Sequence, residues 1–505
     1  MRYDILIGGE AGQGPNIIAN LISIGLIENG FFVFASREYE SRVRGGHNFN
    51  IVTFSEEPLF SNSKSIDILV ALDKNTEKIH KEDLKNNGII LEGSHNNMFY
   101  IGCLFKILGF DFNLLDSELR KINDYSENIE EAKRGYDSKN TEFNLKSAKS
   151  ENKISLMNGN VAISEGAIKS GVEFYYSYPM TPATGVLTEL AQRQKEEKHK
   201  TIELDGEIAC INAAIGSAIV GAKSMVGSSG GGFDLMTEAL SLTGMAEVPL
   251  VIYLSQRPGP STGLATYTGQ GDLNMALHAG HGEFVRIVIA PGDAKEAIER
   301  TTQIFYFTQK YTIPGILISD KHLSESHYSF TEKPQITISE KSVKWPARFN
   351  SYESDENKIA TENINIIKKN VENRINKSKK LSEEIENFKP FEIYGNKDSR
   401  NLIIGWGSTK GVILDIIKKV DCKFLQISYL EPFSKKIQEE IKKAEKTLIV
   451  ENNATSPLSS LIAEKTGFLI KNENKILKYD GRPFIFEQLL EEVEKRIKST
   501  KEIEK

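Results

Sequence analysis

Short, largely apolar runs recur along this chain and constrain its fold more than any other feature. The runs at 172–176, 249–254, 285–289 and 316–318 do not alternate with polar residues. That pattern is typical of strands buried on both faces of a sheet. Because helical segments lie between the runs, strand–helix units and parallel sheets are favoured. The predicted fold class is therefore α/β.

Two polar, charged stretches divide the sequence into three such α/β blocks. A chain of 505 residues suits several domains, because single cores stop growing near ~250–300 residues. The predicted organisation is a first block at 1–136, a linker at 137–153, a second block at 154–323, a charged arm at 324–398 and a third block at 399–498.

Composition argues against several classes of protein. The net charge is −6 and no long run of Lys and Arg is present, which disfavours a nucleic-acid partner. The apolar runs are too short to span a bilayer. The N-terminus leads directly into an apolar strand, so we expect no signal peptide and a cytoplasmic location. The three cysteines, Cys103, Cys210 and Cys422, are too far apart for a disulfide framework and too few for a four-cysteine iron–sulfur cluster.

Two prolines stiffen the segment 178–184, Tyr-Pro-Met-Thr-Pro-Ala-Thr, which follows the apolar run at 172–176. Pro179 and Pro182 move the residues before them out of helical geometry. The hydroxyl of Thr181 is thereby held off a strand end, where α/β folds bind their ligands. The alternative is a strand-ending turn that binds nothing.

A helix rich in small residues is predicted at 208–221, directly after Glu207, and a glycine-rich run follows at 227–232. A carboxylate is favoured at a helix N-terminus by the helix dipole. Glu207 is therefore either a residue that starts the helix or a catalytic acid. The glycine run leaves room for a flat ring or for the backbone of a partner.

Arginines occur in two loops that also contain rigid or small residues. Arg257 follows the run at 249–254 and is flanked by Pro and Gly, as a clamp for a carboxylate would be; the alternative is a structural salt bridge. Arg42 and Arg44 suit either phosphate or carboxylate binding, or an internal ion-pair network. The glycine loop at 8–14 precedes a helix. It either binds an anion, forms a tight packing turn or contacts another subunit.

In this order, the segments resemble the 2-oxoacid:ferredoxin oxidoreductases, which use thiamine diphosphate to convert a 2-oxoacid and coenzyme A to acyl-CoA, carbon dioxide and reduced ferredoxin. The resemblance is to an alpha subunit with the γ domain fused in front. Residues 5–136 are similar to the γ-type α/β domain, 158–322 to the pyrimidine-binding domain, and 401–495 to the C-terminal, transketolase-C-like domain.

The resemblance implies roles for individual residues. Glu207 is the implied catalytic residue, which bonds the N1′ atom of the thiamine aminopyrimidine. The implied substrate-binding residues are Thr181, Arg257 and Thr266. The implied cofactor-binding residues are Tyr178, Pro179, Ser228, Ser229 and Gly230. Residues implied to contact coenzyme A or another subunit are Gly12, Gly14, Arg42 and Arg44.

The resemblance also implies partners. Thiamine diphosphate would be shared with a β subunit that holds the diphosphate, Mg²⁺ and an iron–sulfur cluster, so no metal site is expected on this chain. Coenzyme A would be the co-substrate and ferredoxin the electron acceptor, in a heterodimer or a dimer of heterodimers. The expected substrate is 2-oxoglutarate; the alternatives are pyruvate or branched-chain 2-oxoacids, or a non-catalytic scaffold subunit. Ala265, Gly269 and Ser354 depart from the usual family residues, and the first two bear on substrate preference.

Overall fold

The structure, a computed structural model, describes residues 2–40, 45–122, 124–143, 145, 153–341 and 350–503. The chain forms two compact units. The first comprises Met1–Met157, Ser326–Glu332 and Ile485–Gln488, and the second Asn158–Glu325, Lys333–Phe484 and Leu489–Lys505. The second unit contains most of the second and third predicted blocks, and the boundaries between the blocks stay predictions.

The first unit is a seven-stranded sheet with helices. Its elements are β1 (Arg2–Ala11), α1 (Pro15–Glu28), β2 (Phe32–Glu38), β3 (Gly45–Ser55), β4 (Ile66–Ala71), α2 (Lys74–His80), β5 (Leu84–Glu92), α3 (Asn97–Leu108), α4 (Phe112–Leu119), α5 (Tyr125–Asp137), β6 (Ser155–Asn158) and the later strand β13 (His327–Phe330). The strand order is β5-β4-β1-β3-β2-β13-β6.

This first sheet is mixed. The prediction of a parallel sheet in the first block is therefore wrong for the strand pairs that involve β2 and β3. β1, β4 and β5 are parallel, whereas β3 pairs antiparallel with both β1 and β2. The connection between Glu38 and Gly45 is too short for the crossover that parallel strands need, so β2 and β3 must run in opposite directions.

The second unit contains two sheets. The elements around its first sheet are α6 (Gly159–Lys169), β7 (Phe174–Ser177), α7 (Thr184–Arg193), β8 (Lys200–Glu203), α8 (Glu207–Ile219), β9 (Ser224–Ser228), α9 (Gly230–Leu235), α10 (Thr237–Ala246), β10 (Leu250–Gln256), α11 (Leu273–His278), β11 (Ile287–Ile289), α12 (Ala294–Tyr311), β12 (Pro314–Asp320) and α13 (Lys321–Glu325). The remaining elements are α14 (Ile364–Glu384), β14 (Phe391–Gly395), β15 (Asn401–Gly405), α15 (Thr409–Ile416), β16 (Lys423–Ile427), β17 (Tyr429–Glu431), α16 (Lys436–Lys442), β18 (Lys446–Glu451), α17 (Pro457–Thr466), β19 (Lys475–Leu477) and α18 (Phe486–Ile503).

The first sheet of the second unit has the order β17-β11-β12-β10-β9-β7-β8. Its strands are parallel except β17, which pairs antiparallel with β11. Every residue of β10 is buried, which explains its continuous apolar run. β8 and β9 were not among the predicted strands, because β8 is a largely polar edge strand and β9 is short and rich in small residues.

The second sheet has the order β14-β16-β15-β18-β19. β14 pairs antiparallel with β16, and the other pairs are parallel. One apolar core cluster extends from Ile211 in α8 through Ile252 in β10 to Trp406 after β15, all without solvent exposure. The α/β class expected from the sequence is confirmed.

Candidate active site

Three loops of the second unit leave the same edge of its first sheet. β7, β9 and β10 are parallel neighbours, and they end at Ser177, Ser228 and Gln256. The carboxyl ends of parallel strands form one edge, which is where open α/β sheets bind ligands. The turn at 178–184, the glycine run and the Arg257 loop therefore begin side by side.

The turn after β7 is attached to the Arg257 loop. Arg257 Nη1 donates a hydrogen bond to the backbone oxygen of Thr181 at 2.9 Å. On the other side of the turn, Asn160 Nδ2 donates to the oxygen of Pro182 at 3.2 Å. Two of the predicted substrate-binding residues, Thr181 and Arg257, are thus in direct contact.

Glu207 is buried at the first position of α8, with 5% of its surface exposed. Its Oε1 atom is buried and has no hydrogen-bond partner in the described part of the chain. A Cβ atom at Gly232 would lie 2.5 Å from that oxygen and would also overlap Ser228 Oγ. Buried carboxylate oxygens are rarely left without a partner, so this oxygen suits a donor from outside the chain.

The start of α9 is open on one side and crowded on the other. A Cβ atom at Gly231 would meet no heavy atom within 4 Å, whereas one at Gly230 would overlap Asp272 Oδ2. Ser229 Oγ is fully buried and, within the described residues, has no hydrogen-bond partner. Two of the predicted cofactor residues, Ser229 and Gly230, therefore directly precede the exposed, uncrowded Gly231, and the cofactor-binding roles stay predictions.

Burial shapes the electrostatics of the Arg257 loop. It lowers the pKa of the Arg257 guanidinium, and the Asp272 carboxylate offsets this effect only in part. A partly buried cation in this situation favours the binding of an anion. Thr266, from the same loop, is buried at 5% exposure.

Asp272 is a site residue to which the sequence assigned no role. Its backbone N–H donates to Gln256 Oε1 at 2.9 Å, while its Oδ2 is buried without a partner among the described residues. Burial raises the pKa of the Asp272 carboxyl to about 6, with Arg257 lowering it and Asp234 raising it further. The only sequence signal was an Asp just before a short helix, which reads as an N-cap.

The far end of the Arg257 loop is held by the third predicted block. Gln270 Nε2 donates to the oxygen of Trp406 at 3.0 Å, and Gln270 Oε1 accepts from the N–H of Asn452 at 2.9 Å. Asn453 Nδ2 donates to the Gln270 oxygen at 3.0 Å. Asn452 and Asn453, which follow β18, therefore support this loop.

The glycine loop of the first unit is closed by its own hydrogen bonds. Gln13 N–H donates to the oxygen of Glu10 at 3.0 Å, and Glu10 N–H donates to Gln13 Oε1 at 2.7 Å. Gly14 has φ 76°, a left-handed conformation that favours glycine, and Gly12 faces open space. These bonds favour the packing-turn interpretation, and the binding roles of Gly12 and Gly14 stay predictions. The other two residues of this group, Arg42 and Arg44, lie outside the described residues.

Two kinds of feature are absent from the part of the chain that the structure describes. No helix there is long and apolar enough to cross a membrane. No three or more His, Cys, Asp or Glu side chains in the same ranges gather as a metal ion would require.

Two family models match the chain. The thiamine-diphosphate-binding model of the pyruvate flavodoxin/ferredoxin oxidoreductases matches residues 165–388. The pyruvate ferredoxin/flavodoxin oxidoreductase model matches residues 4–96. Together they cover the glycine loop of the first unit and all the loops of the candidate site.

Individual proteins give the same result. The alpha subunit of a Sulfolobus 2-oxoacid:ferredoxin oxidoreductase is 30% identical, over 99% of this chain and 97% of the relative. The 2-oxoglutarate synthase subunit KorA of Methanocaldococcus jannaschii is 37% identical, over 34% of this chain and 46% of the relative. The fold matches 2-oxoglutarate:ferredoxin oxidoreductase of Magnetococcus marinus, solved with 2-oxoglutarate, coenzyme A and succinyl-CoA bound, at TM-score 0.87 and 24% identity over 98% of this chain and 99% of that one. The chain therefore belongs to the 2-oxoacid:ferredoxin oxidoreductases, as its motifs indicated, and is similar to their alpha subunits.

Proposed function

We propose that this chain is the half of a 2-oxoacid:ferredoxin oxidoreductase that binds the aminopyrimidine of thiamine diphosphate and the 2-oxoacid, with 2-oxoglutarate as the first candidate substrate. The reaction is the oxidative decarboxylation of the acid to acyl-CoA and carbon dioxide, with reduction of ferredoxin. The observation that carries the proposal is Glu207, a buried carboxyl group whose Oε1 has no partner among the described residues and lies beside a glycine-lined space.

The residues around Glu207 fit the aminopyrimidine ring. Glu207 Oε1 would hold a proton between itself and N1′ of the ring, which is the kind of partner that this buried oxygen lacks among the described residues. The open side of Gly231 leaves space for a flat ring, and Ser229 Oγ offers a further polar contact. When bound, thiamine diphosphate supplies the nucleophilic carbon and the electron sink that decarboxylation of a 2-oxoacid needs.

The residues around Arg257 suit the substrate. Its guanidinium would pair with the carboxylate of the 2-oxoacid, and its bond to the Thr181 oxygen fixes its direction. The hydroxyls of Thr181 and Thr266 would contact the same end of the substrate. Because a scaffold subunit would not need a buried acid and a partly buried cation at one strand edge, this geometry favours the catalytic interpretation.

A second subunit is part of the proposal. Large apolar residues are exposed on the elements that carry the site: Ile208 at 58%, Leu235 at 55% and Tyr178 at 41%. Large apolar residues exposed on the elements around a site suit an interaction surface. We assign the iron–sulfur cluster to that β subunit, because this chain has three cysteines and such clusters take four. We assign the diphosphate and Mg²⁺ to the same subunit, as the family resemblance implies. Gly12, Gly14, Arg42 and Arg44 stay candidates for coenzyme A or subunit contact.

The choice of 2-oxoglutarate rests on the relatives. The KorA relative is named a 2-oxoglutarate synthase subunit, and so are its counterparts in Archaeoglobus fulgidus and Methanothermobacter marburgensis, at 35% and 33% identity. The Sulfolobus relative is named for 2-oxoacids in general. Pyruvate and branched-chain 2-oxoacids are accordingly the second candidates.

Co-expression with a candidate β subunit tests the proposal. The complex should reduce a low-potential dye when given coenzyme A and a 2-oxoacid, with the highest kcat/KM for 2-oxoglutarate. A higher value for pyruvate or a branched-chain acid would select the alternative substrate. Full activity from this chain alone would contradict the two-subunit design, and an assembled complex inactive with every acid would support the scaffold interpretation.

Two substitutions separate the proposed roles. Glu207→Gln keeps the size of the side chain but cannot share the proton, so we expect kcat to fall roughly 100-fold or more. Arg257→Ala removes a charge-assisted contact, which corresponds to a rise in substrate KM of roughly 10- to 100-fold. Steady-state kinetics on both variants, with melting temperatures to check folding, make the comparison. Unchanged kinetics in both variants would disprove the site assignment.

A further inference from the structure

Asp272 occupies a helix-capping position without capping the helix. It is the residue before α11, yet its carboxylate forms no hydrogen bond to the first turn of that helix. Its backbone N–H is bound to Gln256 Oε1 instead, and within the described residues its Oδ2 is buried without a partner. The local sequence predicts that the Asp272 carboxyl group caps α11, and the structure shows that it does not.

Its surroundings come from two neighbouring loops of the same strand edge. Oδ2 lies against Gly230, where any Cβ atom would overlap it. The charged groups that act on Asp272 are Arg257, which attracts it, and Asp234 near the end of α9, which repels it. The positive charge of Arg257 thus acts both on the Asp272 carboxylate and on any anion that the guanidinium binds.

We propose that Asp272 is a positioning residue that couples 2-oxoacid binding to the uptake of a proton. When ionised it offsets part of the positive charge of the Arg257 guanidinium, and when protonated it leaves that charge to the carboxylate of the substrate. The inference rests on the proposed function, because it takes the anion at Arg257 to be a 2-oxoacid.

The direction of the coupling follows from electrostatics. Burial already raises the pKa of the Asp272 carboxyl to about 6 in the free chain. A substrate carboxylate at Arg257 neutralises that cation and adds a like charge, and both effects raise the pKa of Asp272 further. Above about pH 6, substrate binding must therefore take up a proton that comes from solvent, and binding weakens as the pH rises.

The test is the pH dependence of KM in the assembled complex. For the wild type we expect the KM of the 2-oxoacid to rise above about pH 6, by roughly tenfold per pH unit at most, with kcat following a different profile. In Asp272→Asn this rise should disappear, because the amide does not titrate. Asn is as good a helix N-cap as Asp, so a purely structural role would leave the pH profile of KM as it is in the wild type.

Asp234→Asn is the matched control. It removes an exposed carboxylate that raises the pKa of Asp272, so the rise in KM should persist and begin at a lower pH. An Asp272→Asn variant that keeps the wild-type rise in KM would overturn the inference and leave the proposed function intact. A wild-type complex with no activity towards any 2-oxoacid would remove the proposed function and this inference with it.

A measurement on the chain alone checks the titration without catalysis. Because the folded pKa of Asp272 lies above its usual value of 3.8, ionisation of this group lowers stability as the pH rises from about 4 to about 6. The melting temperature of Asp272→Asn, minus that of the wild type, should therefore be higher at about pH 7 than at about pH 4.5. An equal difference at both pH values would show that Asp272 does not titrate in this range and would also overturn the inference.

Discussion

At the scale of single residues, glycines at the start of α9 keep space for two carboxyl groups. Gly232 leaves room for Glu207, since an added Cβ atom would lie 2.5 Å from Oε1. Gly230 does the same for Asp272. The glycine run was expected from the sequence to leave room for a ring or a backbone, and its contact with Asp272 was not.

Gly232→Ala should displace Glu207 and lower kcat by roughly 10- to 100-fold, because small shifts of a reacting group are costly. Gly216→Ala, at an exposed position of α8, is the control, since a Cβ atom there meets no heavy atom within 4 Å of described structure. Kinetics of the assembled complex measure both variants. Equal losses in the two would show that the crowding at Glu207 is not the cause.

At the scale of elements, the Arg257 loop connects the two sheets of the second unit. It leaves the first sheet at Gln256 and is bound at Gln270 to segments that follow β15 and β18. The sequence predicted the loop, Arg257 and the strand before it from local rigidity and apolar pattern. It did not predict the support at Gln270, because its partners are more than a hundred residues away along the chain.

Gln270→Ala should loosen this loop. It removes two buried side-chain hydrogen bonds. The oxygen of Trp406 still accepts from Thr409 Oγ1, but the N–H of Asn452 loses its partner, at a cost of roughly 1–3 kcal/mol in stability. We also expect a higher substrate KM, because Arg257 lies in the same loop. The control is Asn274→Ala at an exposed position of α11, which should change stability by less than about 0.5 kcal/mol. Chemical unfolding and steady-state kinetics measure the two variants, and a Gln270→Ala variant as stable as the control would contradict this account.

At the scale of the whole molecule, a buried ion-pair network joins the two sheets of the second unit. Lys410 Nζ in α15 lies 2.6 Å from Glu296 Oε1 in α12 and 2.5 Å from Asp293 Oδ2. Burial by itself would raise the pKa of Glu296, but Lys410 and Arg300 lower it to about 2. Lys410 is shared by the two carboxylates, so its loss leaves buried charge without its ion-pair partner.

Lys410→Met should therefore destabilise the second unit by roughly 3–5 kcal/mol near neutral pH. The control is Lys368→Met in α14, where a side chain with 77% exposure pairs with the exposed Glu372 and is expected to contribute about 0–1 kcal/mol. The pKa of Glu296 lies below its usual 4.5, so its stabilising contribution is present above that pH and is lost as the pH falls towards 2. Urea unfolding of both variants across this pH range checks the prediction. It would be contradicted if the loss in the free energy of unfolding of Lys410→Met, relative to the wild type, grew below pH 4.5.

The sequence by itself determined the α/β class, the family and the loops that carry Thr181, Glu207 and Arg257. It could do so because proline rigidity, glycine freedom and apolar runs act over a few neighbouring residues. Only the tertiary structure decided that β2 and β3 make the first sheet mixed, that Glu207 Oε1 is buried without a partner in the described chain, and that Asp272 shares the field of Arg257. Burial and electrostatic neighbours depend on segments far apart in the chain, and no local pattern contains them.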